Sequence, residues 1–550
     1  MGGLLIFNNF VLFQIIMINS IRRYFRLLFY NKEFMLLGSI SIFGFIVWRG
    51  GSAYPLSLDW DLFAHQHVIN AIQQGKFSFD PTKLSDTFLL FTYTPLFALC
   101  IGALRFVFWF FPLTGYYFLL DTFHYIANII ISYSLGYTVT KNKHIALISG
   151  ICGALIFEST VAQTAFFAIP QNTAALLVVS SFIFWELKRY KLATAISVIT
   201  FFVHFIIGGV GLGLILILAI WRSSFVKKMF GKHTLRIVMF FAIGLVAFSF
   251  IISGYLSLNP FSSGESTTFL FSIPEKFQFF MRWYSLVFLF AVPGIISFLR
   301  TPTDEKTLTM FFGLGIVALI FLPIPYSFKF YTIGRFFIHV LMAAGVYSLI
   351  SHRSITWILW HIGGFSALLL LVLFHNVAEF KSAFPYNGSF TTVSSYEIDA
   401  ATFLQKQKFT NETLLVSDPA TQHVIEALSG INSQGGAFAT QETRQKVDEL
   451  FPFSDNTSVD LLFTIHDDIE GKAPEQIILV ISGRFLQWQQ LPDTHKYDVS
   501  YNIWAPRDTT PLLTSFVNEL KSQPNVEMIY SNSGVSILLV TKNYSDTKTN

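Results

Sequence analysis

The stretch FMLLGSISIFGFIVWRGGSAYPLSLDWDLFAHQH, residues 34–67, joins an apolar run to a polar segment with two acids and two histidines. The apolar run, Phe34–Trp48, has the composition of a membrane-spanning helix. The polar segment holds Asp59-Trp60-Asp61, followed by His65 and His67. Charged residues are only 13% of the chain. In so apolar a protein, ionisable groups at the end of a span are candidates for a functional site.

The composition of the whole chain is that of a membrane protein. Hydrophobic residues make up 53% of its 550 residues, 63 of them are Phe, and the mean hydropathy is +0.54. Ordinary soluble domains are about 45–50% apolar and about 25% charged. The net charge of +4 reflects basic cytoplasmic loops better than nucleic-acid binding, so we expect no nucleic-acid partner. Cys100 and Cys152 both lie in apolar segments, which gives no basis for a disulfide framework.

The alternation of apolar segments and basic loops predicts a polytopic α-helical membrane protein with about eleven transmembrane helices. Residues 1–33 are expected to be a cytoplasmic or interfacial N-terminus, 34–380 the membrane domain, and 49–113 its first outer loop. The apolar stretch Phe88–Phe111 then has to lie in the interface or re-enter, because counting it as a span would reverse the positive-inside bias downstream. The eleven predicted spans are Phe34–Trp48, Gly115–Val139, Ala146–Phe157, Thr173–Trp185, one ending at His204, Gly208–Arg222, Ile237–Leu256, one ending at Arg300, Leu308–Ile324, one beginning near Arg335, and Trp357–Phe374.

From about Lys381 the composition becomes polar and no apolar run reaches spanning length. Residues 381–550 therefore predict a soluble α/β domain, which the eleven-span topology places outside the cytoplasm. Asn532–Gly534 separates two short β-rich runs and has the composition of a hairpin turn. The predicted strands are Leu414–Ser417, Ile477–Ser482, Met528–Tyr530 and Val535–Val540, and the predicted helices are Ala400–Gln407 and Pro511–Ser522.

The cluster of Asp59, Asp61, His65 and His67 has three interpretations. A carboxylate at the membrane boundary is placed to act as a general base toward an acceptor hydroxyl. Asp-x-Asp with a nearby histidine also offers ligands for a divalent metal such as Mg²⁺ or Mn²⁺, with Asp59, Asp61 and His65 as the ligand set. Alternatively, the residues are solvated loop positions and Asp61 caps a helix.

Arg335 is the second candidate, at the outer mouth of its span and with Lys329 just before it. A guanidinium there could bind a lipid phosphate or pyrophosphate. The alternative is an arginine that snorkels to the interface. His339, one turn deeper, favours function because a buried histidine is costly. The other cavity candidates are His204 and Glu158, with Asp121 and His124 in the second span.

The layout resembles the GT-C superfamily of integral-membrane glycosyltransferases, which includes protein O-mannosyltransferases and lipid A aminoarabinose transferases. The shared local features are Asp59-Trp60-Asp61 with His65 in the first outer loop, and Tyr93-Thr94-Pro95-Leu96, which lacks one proline of the family's Pro-Pro-Leu pattern. A third is Arg335 entering a span that continues into Ala343-Ala344-Gly345.

The resemblance implies a glycosyltransferase that takes a hexosyl or pentosyl group from a polyprenyl-phosphate donor in the membrane. The acceptor would be an extracytoplasmic glycan, lipid or protein. By similarity, Asp59 or Asp61 would be the catalytic base or a metal ligand, and Arg335 with Lys329 would lie near the donor phosphate. Two other readings stay open, a transporter or flippase of a lipid-linked or amphipathic substrate and a non-catalytic glycan-binding member. The absence of a visible repeat and the surface position of the acidic cluster favour the enzyme.

Overall fold

The structure, a computed structural model, describes the chain in segments. These are residues 32–51, 66, 69–70, 94–111, 113–156, 167–222, 273–300, 305–320, 327–351, 354–382, 395–409, 413–417, 419–431, 463, 474–482 and 514–542. The helices of the membrane region are α1 Lys32–Gly51, α2 Pro95–Val107, α3 Leu113–Thr140, α4 Lys143–Leu155, α5 Pro170–Glu186, α6 Tyr190–Val203, α7 Phe205–Arg222, α8 Ile273–Tyr284, α9 Ala291–Arg300, α10 Glu305–Ile320, α11 Tyr331–Ile350 and α12 Ile355–Ser382. Short 3₁₀ helices at Ser285–Phe290 and Ser327–Phe330 precede α9 and α11.

Within the described residues, three helices are long and apolar enough to cross a membrane: Gly115–Thr140 in α3, Tyr331–Ile350, which is α11, and Thr356–Val377 in α12. The predicted count of eleven therefore stays a prediction. Helices α4 to α7 and α10 lie where spans were predicted but are shorter than twenty residues. The span predicted at Ile237–Leu256 lies outside the described residues.

The segment Phe88–Phe111 was expected not to span. In the structure its helix is α2, with 13 residues from Pro95 to Val107. Such a helix is about 20 Å long, less than the roughly 30 Å of a bilayer core. Since α4, which was predicted to span, also has 13 residues, the interfacial or re-entrant position of α2 stays a prediction.

Helix α11 lies at the centre of the bundle and packs against α3, α4, α5, α9 and α10. In its most apolar 18-residue stretch, 83% of the residues are buried inside the protein, against 39% in α3 and 39% in α12. Two glycines set its distance from α9. A Cβ on Gly345 would lie 1.8 Å from the carbonyl oxygen of Phe290, and one on Gly294 would lie 1.9 Å from that of Leu341. The two backbones are therefore in direct contact, as small residues allow between membrane helices.

The C-terminal residues contain helices around a four-stranded sheet. The helices are α13 Ser395–Lys406, α14 Pro419–Ser429 and α15 Thr514–Lys521, and the strands are β1 Thr413–Val416, β2 Gln476–Ser482, β3 Val526–Ser531 and β4 Val535–Thr541. The strand order is β1-β2-β4-β3, in which β1 and β2 are parallel and the other pairs are antiparallel. All four predicted strands are thus present, within two residues of the predicted ends.

The turn predicted at Asn532–Gly534 joins β3 and β4 as an antiparallel hairpin. The side chain of Asn532 stabilises it, since its Oδ1 accepts the backbone N–H groups of Gly534 at 3.0 Å and Val535 at 2.8 Å. This local bonding is why asparagine favours such turns.

Candidate functional site

A line of polar side chains follows one face of α3. We call it the polar seam, and its members are Asp121, His124, Asn128 and Ser132. Their spacing of three or four residues stacks them on one helix face over about 16 Å. Asp121, Asn128 and Ser132 are buried. Polar groups on a spanning helix usually face the bundle interior, and the contacts of these four residues show that they do.

At one end of the seam, Asp121 joins three parts of the chain. Its Oδ2 accepts a hydrogen bond from Arg49 Nη2 at 2.9 Å, and its Oδ1 accepts the backbone N–H of Ala168 at 3.0 Å. Both side chains of the ion pair are shielded, with 9% of Arg49 and none of Asp121 exposed. The guanidinium of Arg49 also lies 4.2 Å from the centre of the Trp48 ring. Asp121 thereby ties the end of α1 and the chain that enters α5 to α3.

In the middle of the seam, Asn128 forms a hydrogen bond with Arg335 of α11. Arg335 Nη2 donates to Asn128 Oδ1 at 2.6 Å, and the guanidinium lies 4.7 Å from the centre of the Phe336 ring. Arg335 is only 1% exposed. A snorkelling arginine would keep its charged end in water or among head groups, which this burial contradicts. An amide carries no charge, so the bond to Asn128 orients the guanidinium through a neutral group.

Two histidines, His124 and His339, also belong to the seam or contact it. His339 follows Arg335 by one turn, is buried, and places Nδ1 3.4 Å from Ser132 Oγ. Its Nε2 has no hydrogen-bond partner among the described residues. His124 places Nε2 3.1 Å from Thr173 Oγ1 on α5. Because the Thr173 hydroxyl donates to the carbonyl of Ile169, its oxygen is placed to accept a hydrogen bond from His124 Nε2.

Small residues on α4 bring the backbone of that helix onto the seam. A Cβ on Gly153 would lie 2.6 Å from Ser132 Oγ and 3.0 Å from the carbonyl oxygen of Asn128. Gly136 on α3 makes a similar approach, since its Cβ would lie 2.7 Å from Ser149 Oγ. Helix α4 therefore covers Ser132 without leaving space, and Arg335 and His339 enter from α11.

The structure brings some of the predicted residues together. Arg335 and His339 lie on one face of α11 and both contact the seam. Lys329 is half-buried in the 3₁₀ helix just before α11, where its carbonyl accepts the hydroxyl of Thr332 at 2.8 Å. His204 lies at the junction of α6 and α7, where its Nδ1 accepts the backbone N–H of Ile207 at 3.2 Å. The other predicted residues, Asp59, Asp61, His65, His67 and Glu158, lie outside the described residues.

Sequence reasoning missed four participants, Arg49, Asn128, Ser132 and Thr173. A signal for two of them was present. Asn128 and Ser132 follow Asp121 at seven and eleven residues within an apolar helix, which places all three on one face. Arg49 and Thr173 sit at helix ends, where polar residues are common and carry little information.

The arrangement can bind an anion but offers no metal site of its own. A buried guanidinium held by an amide suits a phosphate or pyrophosphate oxygen. Across the described ranges, no three His, Cys, Asp or Glu residues come together as a group that could hold a metal ion. The metal ligands predicted from the sequence, Asp59, Asp61 and His65, lie outside those ranges.

No protein-family model and no curated protein sequence matches the chain. Solved structures do match its fold. The crystal structure of ArnT from Cupriavidus metallidurans bound to undecaprenyl phosphate aligns with 92% of this chain and 97% of its own, at 10% identity and a TM-score of 0.50. The apo oligosaccharyltransferase of Archaeoglobus fulgidus aligns with 83% of this chain and 70% of its own, at 12% identity and a TM-score of 0.49. The mycobacterial arabinofuranosyltransferase AftD aligns with 92% of this chain and 41% of its own, at 11% identity and a TM-score of 0.49.

The likeness to ArnT extends over nearly the full length of both chains. It therefore concerns the order of the helices and the C-terminal residues together. At 10% identity it speaks for the fold alone. This chain shares the fold of ArnT, and such a fold is what its resemblance to the GT-C superfamily implied.

Proposed function

We propose that the protein is a membrane glycosyltransferase, which moves one sugar from a polyprenyl-phosphate carrier to an acceptor outside the cytoplasm. The observation that carries the proposal is the buried guanidinium of Arg335, oriented by Asn128 inside a GT-C fold. The structure of ArnT with undecaprenyl phosphate supports the choice of carrier. The acceptor is an extracytoplasmic glycan, lipid or protein.

The proposed sugar transfer requires stabilisation of negative charge on the leaving group. When the bond between sugar and lipid phosphate breaks, negative charge grows on the phosphate, and a preorganised cation stabilises it. We assign this role to Arg335, with Lys329 at the start of the same helical segment as a second cation. His339, one turn from Arg335, lines the same cavity in this proposal, as do His204 and Glu158.

The acceptor needs a base to remove its proton as it attacks. We assign this role to Asp59 or Asp61, with His65 and His67 as neighbours in the same segment. If the enzyme uses a divalent metal, Mg²⁺ or Mn²⁺, the ligands would be Asp59, Asp61 and His65. The proposed topology puts the C-terminal residues 381–550 on the same side as this segment, where they would orient the acceptor.

The first test is donor turnover by the purified protein in lipid nanodiscs. A panel of polyprenyl-phosphate sugars is offered to the wild type, Asp59→Asn and Asp61→Asn, and release of polyprenyl phosphate is measured. We expect the wild type to consume at least one donor and one of the two variants to lose nearly all turnover. Donor bound by the wild type but never consumed, with candidate acceptors present, would instead favour the transporter or the glycan-binding alternative.

The role of Arg335 is tested separately with Arg335→Gln, which keeps a hydrogen-bonding side chain but removes the charge. We expect kcat/KM to fall about 100-fold, the usual size for the loss of one group that stabilises transition-state charge. Arg189→Gln is the matched control, because Arg189 is exposed at the start of α6. Equal turnover by the two variants would remove Arg335 from the donor site.

A further inference from the structure

A chain of amide contacts links α14 of the C-terminal residues to α3. Asn70 Nδ2 donates to the carbonyl oxygen of Ala427 on α14 at 2.7 Å, and Asn70 Oδ1 accepts Gln66 Nε2 at 2.6 Å. Gln66 Oε1 in turn accepts the hydroxyl of Tyr117. Tyr117 precedes Asp121 by four residues on α3, so this chain ends directly beside the polar seam. We call Asn70, Gln66 and Tyr117 the amide relay.

Two members of the relay are buried and Asn70 is partly buried, and apolar residues lie close to it. Gln66 is 3% exposed and Tyr117 is 1% exposed. Val424 and Ala427 on α14 belong to the same buried apolar cluster as Ile69, which lies next to Asn70 in the chain. These contacts bury one face of α14 against the membrane region.

A different side of α14 faces the sheet. Ile425 belongs to the apolar cluster that includes Leu415 on β1 and Ile478 on β2. Helix α14 therefore lies between the sheet and the membrane region. Apolar contacts tolerate small shifts of such a helix, whereas buried hydrogen bonds require one geometry. The relay is the part of the interface that can fix the register.

We propose that Asn70 is a positioning residue, which holds the C-terminal residues in register with α3 through Gln66 and Tyr117. The inference rests on the proposed function, in which the C-terminal residues orient the acceptor and Arg335 on the neighbouring helix binds the donor phosphate. Gln66 stands directly between His65 and His67 in the chain. A shift of the relay would thus change the distance between acceptor and donor without touching either substrate.

The test variant is Asn70→Asp in the full-length protein in nanodiscs. It keeps an oxygen acceptor for Gln66 Nε2 but removes the N–H group that binds the carbonyl of Ala427. Its matched control is Asn518→Asp, the same substitution on the exposed side of α15. Tyr117→Phe breaks the other end of the relay, and the double variant Asn70→Asp, Tyr117→Phe shows whether both ends act together.

The first readout is hydrogen–deuterium exchange, which needs no activity. We expect exchange in peptides covering residues 66–70 and α14 to rise at least about threefold in Asn70→Asp and to stay unchanged in Asn518→Asp, because local opening exposes amides. Unchanged exchange in both peptides would overturn the proposal. This result is independent of the proposed function, which fails on its own if the wild type consumes no donor.

The second readout is steady-state kinetics, in which kcat and the donor KM of each variant are compared separately with those of the wild type. We expect kcat to fall about tenfold in Asn70→Asp, the effect of one buried hydrogen bond, while the donor KM stays as in the wild type. The double variant should lose no more than the stronger single variant, because residues acting through one network are not additive. Raised exchange with an unchanged kcat would leave Asn70 a fold contact and overturn its positioning role.

Discussion

Two arginines reach the same face of α3, seven residues apart on that helix, and their partners differ. Arg49 meets the carboxylate of Asp121, whereas Arg335 meets the amide of Asn128. A carboxylate neutralises the buried guanidinium that it faces. Removing either partner of such a pair leaves the other as an uncompensated charge. A guanidinium opposite an amide is oriented by a neutral group. Burial alone therefore does not mark a functional arginine, because Arg49 is shielded as well and its ion pair with Asp121 joins parts of the fold.

The two arginines also differ in what their helices do. Arg49 lies in the last turn of α1 and pairs with Asp121, which also binds the backbone of Ala168 just before α5. Arg335 sits in the first turns of α11, the helix that the rest of the bundle surrounds. Side chains on α11 therefore face protein in nearly every direction.

The largest effect is expected when the first pair is broken. Asp121→Asn keeps the size of the side chain but removes the carboxylate that pairs with the shielded guanidinium of Arg49. We expect the free energy of unfolding to fall by about 3–5 kcal/mol. The measurement is thermal unfolding of the purified protein, monitored by tryptophan fluorescence. The control is Asp399→Asn, because Asp399 is exposed.

A double variant sharpens this result. In Arg49→Met, Asp121→Leu both charges are absent, so most of the lost stability should return. If Asp121→Asn unfolds at the same temperature as Asp399→Asn, the ion pair contributes nothing to the fold, and the distinction between the two arginines is lost.

An intermediate effect is expected from the contact that positions Arg335. Gly345→Ala would place a Cβ 1.8 Å from the carbonyl oxygen of Phe290, so α11 has to move away from α9. We expect a loss of about 1–3 kcal/mol in the free energy of unfolding, as overpacking usually causes. Gly315→Ala on α10 is the control, because nothing lies within 4 Å of the added Cβ.

Donor turnover should distinguish the two glycine variants in the same way as stability does. Since Arg335 shares α11 with Gly345, donor turnover by Gly345→Ala should fall while turnover by Gly315→Ala stays at the wild-type level. An unchanged unfolding temperature for Gly345→Ala would mean that α9 and α11 are less closely packed than the structure has them.

The sequence predicts the helices and strands better than the partners of the polar residues. Asn532 signals its hairpin locally, and the β-rich runs alternate with turns, so the four strands are recognisable from composition. Arg335 and His339 are also visible, as ionisable residues within a predicted span. What the sequence does not reveal is that Asn128 meets Arg335, because that contact joins residues 207 positions apart. The same holds for Asn70 and Ala427, which are 357 positions apart.

The smallest effect, and the most direct test of the comparison, comes from Asn128→Asp. This substitution gives Arg335 the kind of partner that Arg49 already has. We expect the free energy of unfolding to stay unchanged or to rise, because a buried guanidinium gains a counter-charge. Binding of polyprenyl phosphate in nanodiscs should weaken about tenfold, because the new carboxylate neutralises Arg335 and repels the phosphate; every 1.4 kcal/mol of lost interaction corresponds to one factor of ten.

Asn128→Leu separates orientation from charge in the same experiment. It removes the hydrogen bond to Arg335 but adds no negative charge, so its effect on phosphate binding should be smaller than that of Asn128→Asp. Equal weakening in the two variants would mean that Asn128 acts only by orienting the guanidinium. Wild-type phosphate binding by Asn128→Asp would mean that the charge of Arg335 is not what recognises the donor, and both arginines would then be contacts of the fold.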